Sequence, residues 1–570
     1  MDRQIPLARY LWTRVRQQGV KSIMGVPGDM NLELLDYIKL VSDLTWVGNA
    51  NELNAAYAAD GYARVKNCPG VLVTTMGVGE LSAINGIAGA YTEQVKVIHI
   101  VGTTATDTQS QRLMIHHNLG PRPDHRVFEK ISSHVRCTYA WLDNAETAPE
   151  EIDRVIRECN VQSLPVYIYV PMDFVHTPVS SQRLEMPLEI FPPIDLANEE
   201  RAVSAILHII SASKHPIVLI DVLTARHNAA ADTRELVDAL DFPFFATPMG
   251  KSIVDETHPR FCGIYNGAIS YPGIADVVES SDCVINIGPL LSDSNTGGLS
   301  RMLSAEQLIV LESSHCEVRG ERFEQVYLSS AIRKITNRVG QVKIPSNSNP
   351  VIPIPTLPKD HESTSIVQSW IWKRLGQFTR PYDIVIVESG TAQFGIPDAS
   401  FPPNTTLISQ VYYGSIGYSV GCAIGAGLAQ RELSVENTTA AGRLLLVVGD
   451  GSLQLTVQEI GTAIKANLSP IIIVINNNGY TIERAIHGPT ESYNDITPWR
   501  HQFLLEFLGA KNANQCSREV RTKVEMERVL QLLDYISPSS IQLLEVYMAQ
   551  MDIPWRLRDQ ISLVQRRNNK

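Results

Sequence analysis

Short runs of aliphatic residues alternate with helical patterns along the chain, and the clearest case lies near residue 450. Residues 443–448 and 471–475 are aliphatic runs of the kind that forms buried parallel strands. The first run ends at Gly449 and the second at Asn476. Between them, residues 453–467 have helical spacing, with apolar side chains at Leu453, Val457, Ile460 and Ile464. The pattern predicts a strand–loop–helix–strand unit with both polar loops at the carboxyl ends of the strands, where open α/β sheets bind ligands.

The same alternation occurs in three segments, which two proline-rich stretches separate. Residues 177–197 contain four prolines and residues 341–360 contain five, with little periodicity. We interpret both stretches as linkers. Because short aliphatic strands alternate with helical patterns in each remaining segment, we predict an α/β fold of three doubly wound parallel-sheet domains. The predicted domains are residues 1–180, 195–342 and 361–555.

Composition narrows the class of protein. The chain has 570 residues, of which 44% are hydrophobic and 19% charged, with a net charge of −11. There is no basic stripe of the kind that binds nucleic acid, and the aliphatic runs are far shorter than a membrane span of about 20 residues. Eight cysteines are scattered without a Cys-x-x-Cys pair, which is typical of reduced thiols inside the cell. We therefore predict a cytoplasmic protein that binds neither nucleic acid nor membrane.

The loops after the two strands carry the groups that hold a divalent metal. Asp450 supplies a carboxylate, Asn477 an amide oxygen and Gly479 a backbone carbonyl, and Mg²⁺ favours such a partial set, completed by phosphate oxygens and water. Gly451 and Ser452 open the next helix, whose free N–H groups favour an anion. A Gly-Asp-Gly sequence alone is usually a β-turn. The spacing and the flanking strands favour a site for a metal-bound diphosphate instead.

The sequence of these loops resembles that of a known enzyme family. Gly-Asp-Gly at 449–451 together with Asn477 looks like the signature of thiamine diphosphate (ThDP) enzymes. Residues 449–459 and 477–483, with His487-Gly488, are similar to the pyruvate decarboxylase group of 2-oxo acid decarboxylases. The likeness extends from about residue 5 to about residue 555. It implies ThDP and Mg²⁺ as cofactors, held by a pyrimidine-binding, a middle and a diphosphate-binding domain, with cofactor contacts from Tyr480, Thr481 and Ile482.

Glu52 is the first acidic group to which the resemblance gives a role. It lies in residues 49–59, a helical run rich in small side chains, where an acid at a helix start is commonly a partner of the helix dipole. The resemblance instead implies that Glu52 hydrogen-bonds the N1′ atom of the cofactor pyrimidine and thereby activates the cofactor. It also implies that this Glu reaches the cofactor of a neighbouring subunit. Active sites would then form at the interface of a homodimer, alone or within a homotetramer.

Four further polar residues match the proton-handling set of the decarboxylases. Asp29 ends a Gly/Pro turn, His116 and His117 lie in a loop, and Glu483 follows the metal loop. Each alone is weak evidence, since turn aspartates and surface histidines are common. Loss of CO₂ leaves a carbon that must be protonated before aldehyde departs, so the reaction needs a positioned acid. The resemblance implies Glu483 near the departing carboxylate, Asp29 and His117 in protonation and release, and His116 in support.

Two loops of the third segment complete the predicted cofactor site. In residues 413–417, Ile416 lies between small residues and would ordinarily be assigned to the core. The resemblance implies that Ile416 wedges the cofactor into a bent conformation, with Gly414 and Ser415 beside it, which brings the reacting groups together. Gly390 and Thr391, in the loop after the strand at 384–387, are the other expected contacts.

Departures from the family text bear on the substrate. Gln393 places an amide where simple pyruvate enzymes have a smaller or apolar residue, and an unpaired amide in an apolar pocket is costly. Residues 221–224 lack the adjacent thiols of substrate-activated yeast-type members, so activation through such a thiol is not expected. The loop at 120–125, beside the histidine pair, also differs from the usual text.

We predict a carboxy-lyase that releases CO₂ and an aldehyde from a 2-oxo acid, with pyruvate as the leading substrate. Aromatic or branched 2-oxo acids are the alternative within this class. A second alternative is a carboligase that forms acyloins, against which the complete proton-handling set argues. A third is a catalytically silent homologue, against which Glu52, Asp450 and Asn477 argue.

Overall fold

The described residues form three large sheets, each with helices on its faces, and one two-stranded sheet. The computed structural model describes residues 4–345, 348–353, 359–436, 440 and 442–568. Residues 346–347 and 354–358, which fall in the second predicted linker, lie outside the described residues. The three sheets lie within residues 22–171, 216–324 and 384–547, each inside one predicted domain, and the exact domain boundaries stay a prediction.

The first domain contains a six-stranded parallel sheet of order β3-β2-β4-β5-β7-β6 and a separate antiparallel pair, β1 with β8. Its strands are β1 (Gln4–Pro6), β2 (Ser22–Gly25), β3 (Thr45–Trp46), β4 (Gly70–Thr75), β5 (Val97–Thr103), β6 (Thr138–Trp141), β7 (Val166–Pro171) and β8 (Pro178–Ser180). Its helices are α1 (Leu7–Gln17), α2 (Leu32–Asp36), α3 (Glu52–Lys66), α4 (Val78–Thr92), α5 (Thr106–Ser110), α6 (Val127–Ile131) and α7 (Ala148–Gln162).

The middle domain has a seven-stranded sheet of order β11-β10-β9-β12-β13-β14-β15. Its strands are β9 (Pro216–Ile220), β10 (Phe244–Ala246), β11 (Phe261–Ile264), β12 (Cys283–Ile287), β13 (Leu308–Leu311), β14 (His315–Val318) and β15 (Glu321–Glu324). Its helices are α8 (Leu196–Ala212), α9 (Leu223–Arg226), α10 (Ala230–Leu240), α11 (Ile274–Glu279) and α12 (Leu328–Val339). The predicted parallel sheet is extended by an antiparallel edge, β14 and β15, because short turns join β13 to β14 and β14 to β15.

The third domain has a six-stranded parallel sheet of order β17-β16-β18-β19-β21-β20. Its strands are β16 (Ile384–Val387), β17 (Thr406–Ile408), β18 (Leu444–Gly449), β19 (Ile471–Asn476), β20 (Ser517–Val520) and β21 (Gln542–Tyr547). Its helices are α13 (Gln368–Phe378), α14 (Thr391–Gly395), α15 (Tyr418–Val435), α16 (Asp450–Thr456), α17 (Glu459–Lys465), α18 (Thr481–Ile486), α19 (Leu504–Phe507), α20 (Ala513–Cys516), α21 (Lys523–Leu530), α22 (Leu533–Ile536) and α23 (Trp555–Asn568).

The predicted strand–helix–strand unit is present, with one difference in its helix. Strands β18 and β19 are adjacent and parallel, so their carboxyl ends meet at one edge of the sheet. The single helix predicted over residues 453–467 is wrong in detail, because the structure has two helices, α16 and α17. The helix is interrupted where the N–H groups of Ile460 and Gly461 donate to carbonyls three residues earlier, at Val457 and Gln458, instead of four.

Alternating side chains of β18 divide the core of the third domain between its two faces. Leu446 and Val448 belong to a hydrophobic core that continues into the first domain. Leu445 and Val447 point to the opposite face and pack in a separate core with α13. Both faces are therefore buried, as expected for a parallel sheet covered by helices, and the fold class predicted from the pattern is confirmed. In the part of the chain that is described, no helix has the length and apolar character to cross a bilayer.

The first and third domains are joined chiefly by helices α3 and α15, which approach closely because small residues face each other. A Cβ atom added at Gly425 would lie 1.7 Å from the carbonyl oxygen of Ala58, and one at Gly61 would lie 2.2 Å from that of Cys422. These positions therefore require glycine for steric reasons. The contact is reinforced by the hydroxyl of Tyr418 on α15, which donates to the carboxylate of Asp60 on α3.

We predict that Gly425→Ala destabilises the protein by about 1–3 kcal/mol, because the added methyl group collides with backbone that cannot move independently. The matched control is Gly461→Ala in α17, where the nearest atom to the new Cβ would be 3.9 Å away. The control should be neutral or stabilising by up to about 1 kcal/mol. Urea unfolding of both variants measures the difference, and equal midpoints would contradict the proposed close contact.

Candidate cofactor and metal site

A pocket opens at the carboxyl ends of β16, β18 and β19, and the residues that line it belong to the third domain. Most of the predicted cofactor, metal and proton-handling residues of this domain line the pocket. They are Gly390, Thr391, Ile416, Asp450, Gly451, Ser452, Asn477, Gly479, Tyr480, Thr481, Ile482 and Glu483.

Asp450 begins α16 at the end of β18 and is 2% exposed. One carboxylate oxygen accepts from the backbone N–H of Gly451 at 3.0 Å, and the other accepts from that of Gly479 at 3.1 Å. Burial raises the pKa of Asp450 to about 6, while these two N–H groups act in the opposite direction. A bound cation would favour the ionised form, so the surroundings suit a metal ligand.

The amide of Asn477 supplies a test of whether these residues fit a metal. One of its two terminal atoms lies 3.0 Å from both the carbonyl oxygen of Gly479 and Oδ1 of Asp450. With the amide nitrogen in this position, it donates to both oxygens, and the amide oxygen accepts from the hydroxyl of Thr481. With the amide oxygen there, three oxygens converge and repel one another unless a cation lies between them. The donor set therefore fits a Mg²⁺ ion, which needs this second orientation.

Two glycines shape the metal loop. Gly479 has φ of +115°, which favours glycine, and a Cβ at this position would lie 2.6 Å from the carbonyl oxygen of Asn494. A Cβ at Gly451 would lie 2.8 Å from the ring of Tyr480. The ring of Tyr480 can therefore pack directly over the start of α16 only because residue 451 has no side chain.

The loop before α15 presents Ile416 to the pocket, where its side chain is 37% exposed. The two glycines of this loop, Gly414 and Gly417, have positive φ of 65° and 91°. The hydroxyl of Ser415 lies 2.7 Å from that of Tyr57 on α3, so this side chain faces the first domain. Gly414 and Ser415 are not among the described residues that line the pocket, and their roles in binding stay a prediction.

The remaining predicted proton-handling residues form a second group on the first domain. The carboxylate of Asp29 and the ring nitrogens of His116 and His117 lie within 4.8 Å of one another. Nε2 of His116 is 2.7 Å from Oδ2 of Asp29, and both side chains are more than half exposed. His117 has φ of 71°, a conformation that is strained for a residue with a side chain and is often found at functional sites.

Glu52 is the first residue of α3, and Asn51 caps this helix by accepting from the backbone N–H of Asn54. The carboxylate of Glu52 lies against Gly79, where an added Cβ would be 3.2 Å from Oε1 of Glu52. Glu52 and the Asp29 group belong to the first domain, and none of them is among the described residues that line the pocket of the third domain. A single chain therefore presents two separate groups of predicted site residues.

The amide of Gln393 does not point freely into the pocket. Its nitrogen donates to the backbone carbonyl of Val411 at 3.5 Å, a long hydrogen bond. The neighbouring Ala392 lines the pocket in its place. The cost expected for an unpaired amide at this position is thereby avoided.

Sequence reasoning did not assign five residues that line the pocket: Glu388, Ser389, Ala392, Gly449 and Ile475. Glu388 is 1% exposed and accepts from the hydroxyl of Ser419 at 2.5 Å, and burial raises its pKa to about 7. It follows β16 directly, so the rule that ligands bind at strand ends could have identified it.

Comparisons with known proteins agree with the geometry. Three sequence models of thiamine pyrophosphate (ThDP) enzymes match the chain: the N-terminal TPP binding domain at residues 5–126, the central domain at 203–338 and the C-terminal TPP binding domain at 389–535. A solved structure, the ThDP-dependent 4-hydroxybenzoylformate decarboxylase of Rhodococcus jostii RHA1, has a TM-score of 0.75. It covers 95% of this chain and 99% of its own at 16% identity, and thus shows the shared fold alone.

Curated relatives match over the full length. The pyruvate decarboxylase of Kluyveromyces lactis is 42% identical and covers 100% of both chains. Pyruvate decarboxylase isozyme 1 of Saccharomyces cerevisiae is 40% identical over 100% of both chains. The pyruvate decarboxylase of Aspergillus terreus is 43% identical over 98% of this chain and 96% of its own.

The fold and the pocket thus define a thiamine diphosphate enzyme. Within that class the chain belongs to the pyruvate decarboxylase group of 2-oxo acid decarboxylases, as the resemblance in sequence indicated. The predicted cofactor, thiamine diphosphate with a divalent metal ion, is confirmed by this membership.

We predict that Asp450→Ala abolishes Mg²⁺-dependent binding of ThDP, lowering affinity by about 100-fold or more, because the metal loses its charged ligand. Asp534→Ala, which removes an exposed carboxylate at the start of α22 in the same domain, is the matched control. The affinity for ThDP is measured by titrating the cofactor-free proteins with ThDP, once in the presence of Mg²⁺ and once in the presence of EDTA. Unchanged affinity in Asp450→Ala would show that the metal binds elsewhere.

Proposed function

We propose that the protein is a ThDP- and Mg²⁺-dependent decarboxylase that converts pyruvate to acetaldehyde and CO₂. The observation that carries this proposal is the convergence of the Asp450 carboxylate, the Asn477 amide and the Gly479 carbonyl in a pocket that Ile416 and Glu483 also line. Pyruvate is favoured among 2-oxo acids because the full-length relatives at 40–43% identity are named pyruvate decarboxylases.

The third domain binds the cofactor in this account. Asp450, Asn477 and the carbonyl of Gly479 would hold Mg²⁺ and through it the diphosphate, and the backbone N–H groups at the start of α16 would favour its negative charge. ThDP, when bound, supplies the carbon nucleophile and accepts the electron pair that remains when CO₂ leaves. Ile416 supports the bent form of the cofactor.

The proton-handling residues act around this pocket. Glu52, the first residue of α3, would accept a hydrogen bond from the pyrimidine ring of the bound cofactor, as the family resemblance implies. Glu483 lines the pocket beside the substrate carboxylate. The hydrogen-bonded pair of Asp29 and His116, with His117 against it, supplies protons to the carbon that has lost CO₂ and assists release of the aldehyde.

The chemistry of residues 392 and 393 supports an apolar substrate side chain. Ala392 contributes only a methyl group to the pocket, and the amide of Gln393 is turned toward the carbonyl of Val411. The amide therefore needs no polar partner on the substrate. Glu483 and the Asp29–His116 pair are exposed. These groups are therefore available to protonate the reacting carbon, which favours aldehyde release over carboligation.

We propose further that the active site forms between two chains, in a homodimer or a homotetramer. The cofactor pocket belongs to the third domain, whereas Glu52 and the Asp29 group belong to the first domain and lie outside the pocket. Large apolar side chains are exposed beside both groups, namely Val78 (51%) and Leu81 (36%) on α4 and Leu455 (44%) on α16. Covering these side chains with a second chain would bury apolar surface and bring the two groups of residues together.

A cytoplasmic location fits the proposed activity. All eight cysteines are free thiols, and six of them are buried. Unpaired thiols in this number are typical of a reducing compartment. The free thiols support the cytoplasm as the site of action.

A substrate panel tests the proposed function. Purified protein with ThDP and Mg²⁺ is offered pyruvate, 2-oxoisovalerate, phenylpyruvate and indolepyruvate, and CO₂ and aldehyde are quantified. We predict equal amounts of both products, with kcat/KM highest for pyruvate by about tenfold, since binding pockets discriminate side chains of different size to this extent. Glu52→Gln is the negative control and should keep the cofactor but lose most turnover.

Other outcomes have distinct meanings. Preference for a larger acid would contradict the pyruvate assignment. It would show that the pocket beside Ala392 and Gln393 is wide enough for a larger side chain. Release of CO₂ without matching aldehyde would indicate carboligation. Absence of turnover with all four acids would overturn the decarboxylase proposal.

A further inference from the structure

A buried carboxylate of the third domain, Glu459, contacts the first domain directly before Glu52. Glu459 begins α17, the second helix after Asp450, and its side chain is fully buried. One of its oxygens accepts from the side-chain amide of Asn49 at 2.6 Å. The other accepts from the backbone N–H of Ala50 at 3.2 Å. The two contacts fix the segment that enters α3, of which Glu52 is the first residue.

The same segment is bound on its other side to the strand that leads to Asp29. The amide oxygen of Asn49 accepts from the backbone N–H of Gly25 at 2.9 Å, and the N–H of Asn49 donates to the carbonyl of Gly25 at 2.9 Å. Gly25 is the last residue of β2. Asn49 therefore links Glu459 both to the segment that enters α3, which begins with Glu52, and to the end of β2, four residues before Asp29.

Helix α17 makes a third contact with this segment. Lys465, at the end of α17, donates from Nζ to the carbonyl of Val47 at 3.3 Å. The backbone of residues 47–50 is thus bound at both ends by side chains of one helix of the third domain. The contacts are polar and directional, so they determine the position of the segment as well as its burial.

A second interdomain carboxylate, Glu432 on α15, contacts the same two elements at their opposite ends. It accepts from the hydroxyl of Ser22, the first residue of β2, at 2.6 Å. It also accepts from the hydroxyl of Tyr62, near the end of α3, at 2.6 Å. Glu432 also forms an ion pair with Lys66 at 3.5 Å. Both carboxylates therefore bridge the first and third domains, but only the contacts of Glu459 lie next to Glu52.

We propose that Glu459 is a positioning residue for the reaction: it holds the segment 49–50 so that Glu52 meets the cofactor pyrimidine at the correct distance. This proposal rests on the proposed function, because it assigns Glu52 the role given there. Glu459 does not touch the cofactor or the substrate, and it acts through Asn49 and Ala50.

The chemistry of Glu459 supports a role beyond packing. Burying a carboxylate without a cation beside it is costly, and burial raises the pKa of Glu459 while the donors from Asn49 and Ala50 oppose the rise. A carboxylate accepts from both donors at once. A glutamine at this position has one acceptor oxygen, so its NH₂ group would face one of the two donors. The conservative change Glu459→Gln therefore weakens the contacts that hold the segment, while the size and shape of the side chain stay the same.

The experiment compares Glu459→Gln with the matched control Glu432→Gln in the full-length protein. Five quantities are measured: kcat for pyruvate, KM for pyruvate, the affinity for ThDP with Mg²⁺, exchange of the C2 proton of bound ThDP with D₂O, and amide hydrogen exchange of the cofactor-free protein. The C2 exchange reports on the contact with Glu52 and needs no substrate. The amide exchange reports on residues 47–54 and needs no cofactor.

We expect Glu459→Gln to lower kcat and the C2 exchange rate by about 10–100-fold. A shift of the Glu52 carboxylate by about 1 Å from its working position is enough for a loss of this size. ThDP affinity and KM should change less than about threefold, because the metal and diphosphate contacts are intact. Amide exchange should increase within residues 47–54. Glu432→Gln should leave kcat, C2 exchange and residues 47–54 unchanged while increasing exchange near Ser22 and Tyr62.

Equal effects of the two substitutions on kcat and C2 exchange would overturn the proposal, because they would reflect general loosening of the interface. A loss of kcat in Glu459→Gln without loss of C2 exchange would also overturn it. If the unmodified protein fails to decarboxylate pyruvate but the two exchange measurements separate the variants as expected, the positioning role stands and the proposed substrate is wrong. The two failures are thus distinguishable.

Discussion

The close contact between α3 and α15 is the constraint on which the arrangement of the site depends. Its glycines allow backbone to approach backbone, since a Cβ at Gly425 would lie 1.7 Å from the carbonyl oxygen of Ala58. Helix α3 begins with Glu52, and α15 follows the loop that presents Ile416. Because the two helices pack so closely, the start of α3 has a fixed position relative to the loop before α15.

This constraint leads to a divided site. The third domain contains the predicted metal ligands Asp450, Asn477 and Gly479, whereas the first domain contains Glu52 and the Asp29 group outside that pocket. In the proposed dimer, each chain would present its cofactor half to the proton-handling half of the other chain, and its own proton-handling half to the other cofactor half. Two-fold pairing would complete two equivalent sites at once, since each chain would supply the half that the other lacks.

The sequence predicted those parts of the structure that depend on short, local sequence patterns. The strand ends at Gly449 and Asn476 located the metal loop, and the alternation of strands and helices gave the fold class. It could not show contacts between residues distant in the chain, such as Glu459 with Asn49, because hydrogen bonds across 410 positions leave no local pattern. The break between α16 and α17 was missed for a related reason, since apolar spacing continues across it.

The central claim, a site completed between two chains, is tested most directly by complementation. Chains with Glu52→Gln and chains with Asp450→Ala, carrying different tags, are produced together, and the mixed dimer is isolated. The account predicts that each variant alone is nearly inactive and that the mixed dimer regains roughly half of the unmodified activity, because one of its two sites combines two intact halves. A mixed dimer no more active than its parents would contradict the account and place Glu52 and Asp450 in the site of one chain.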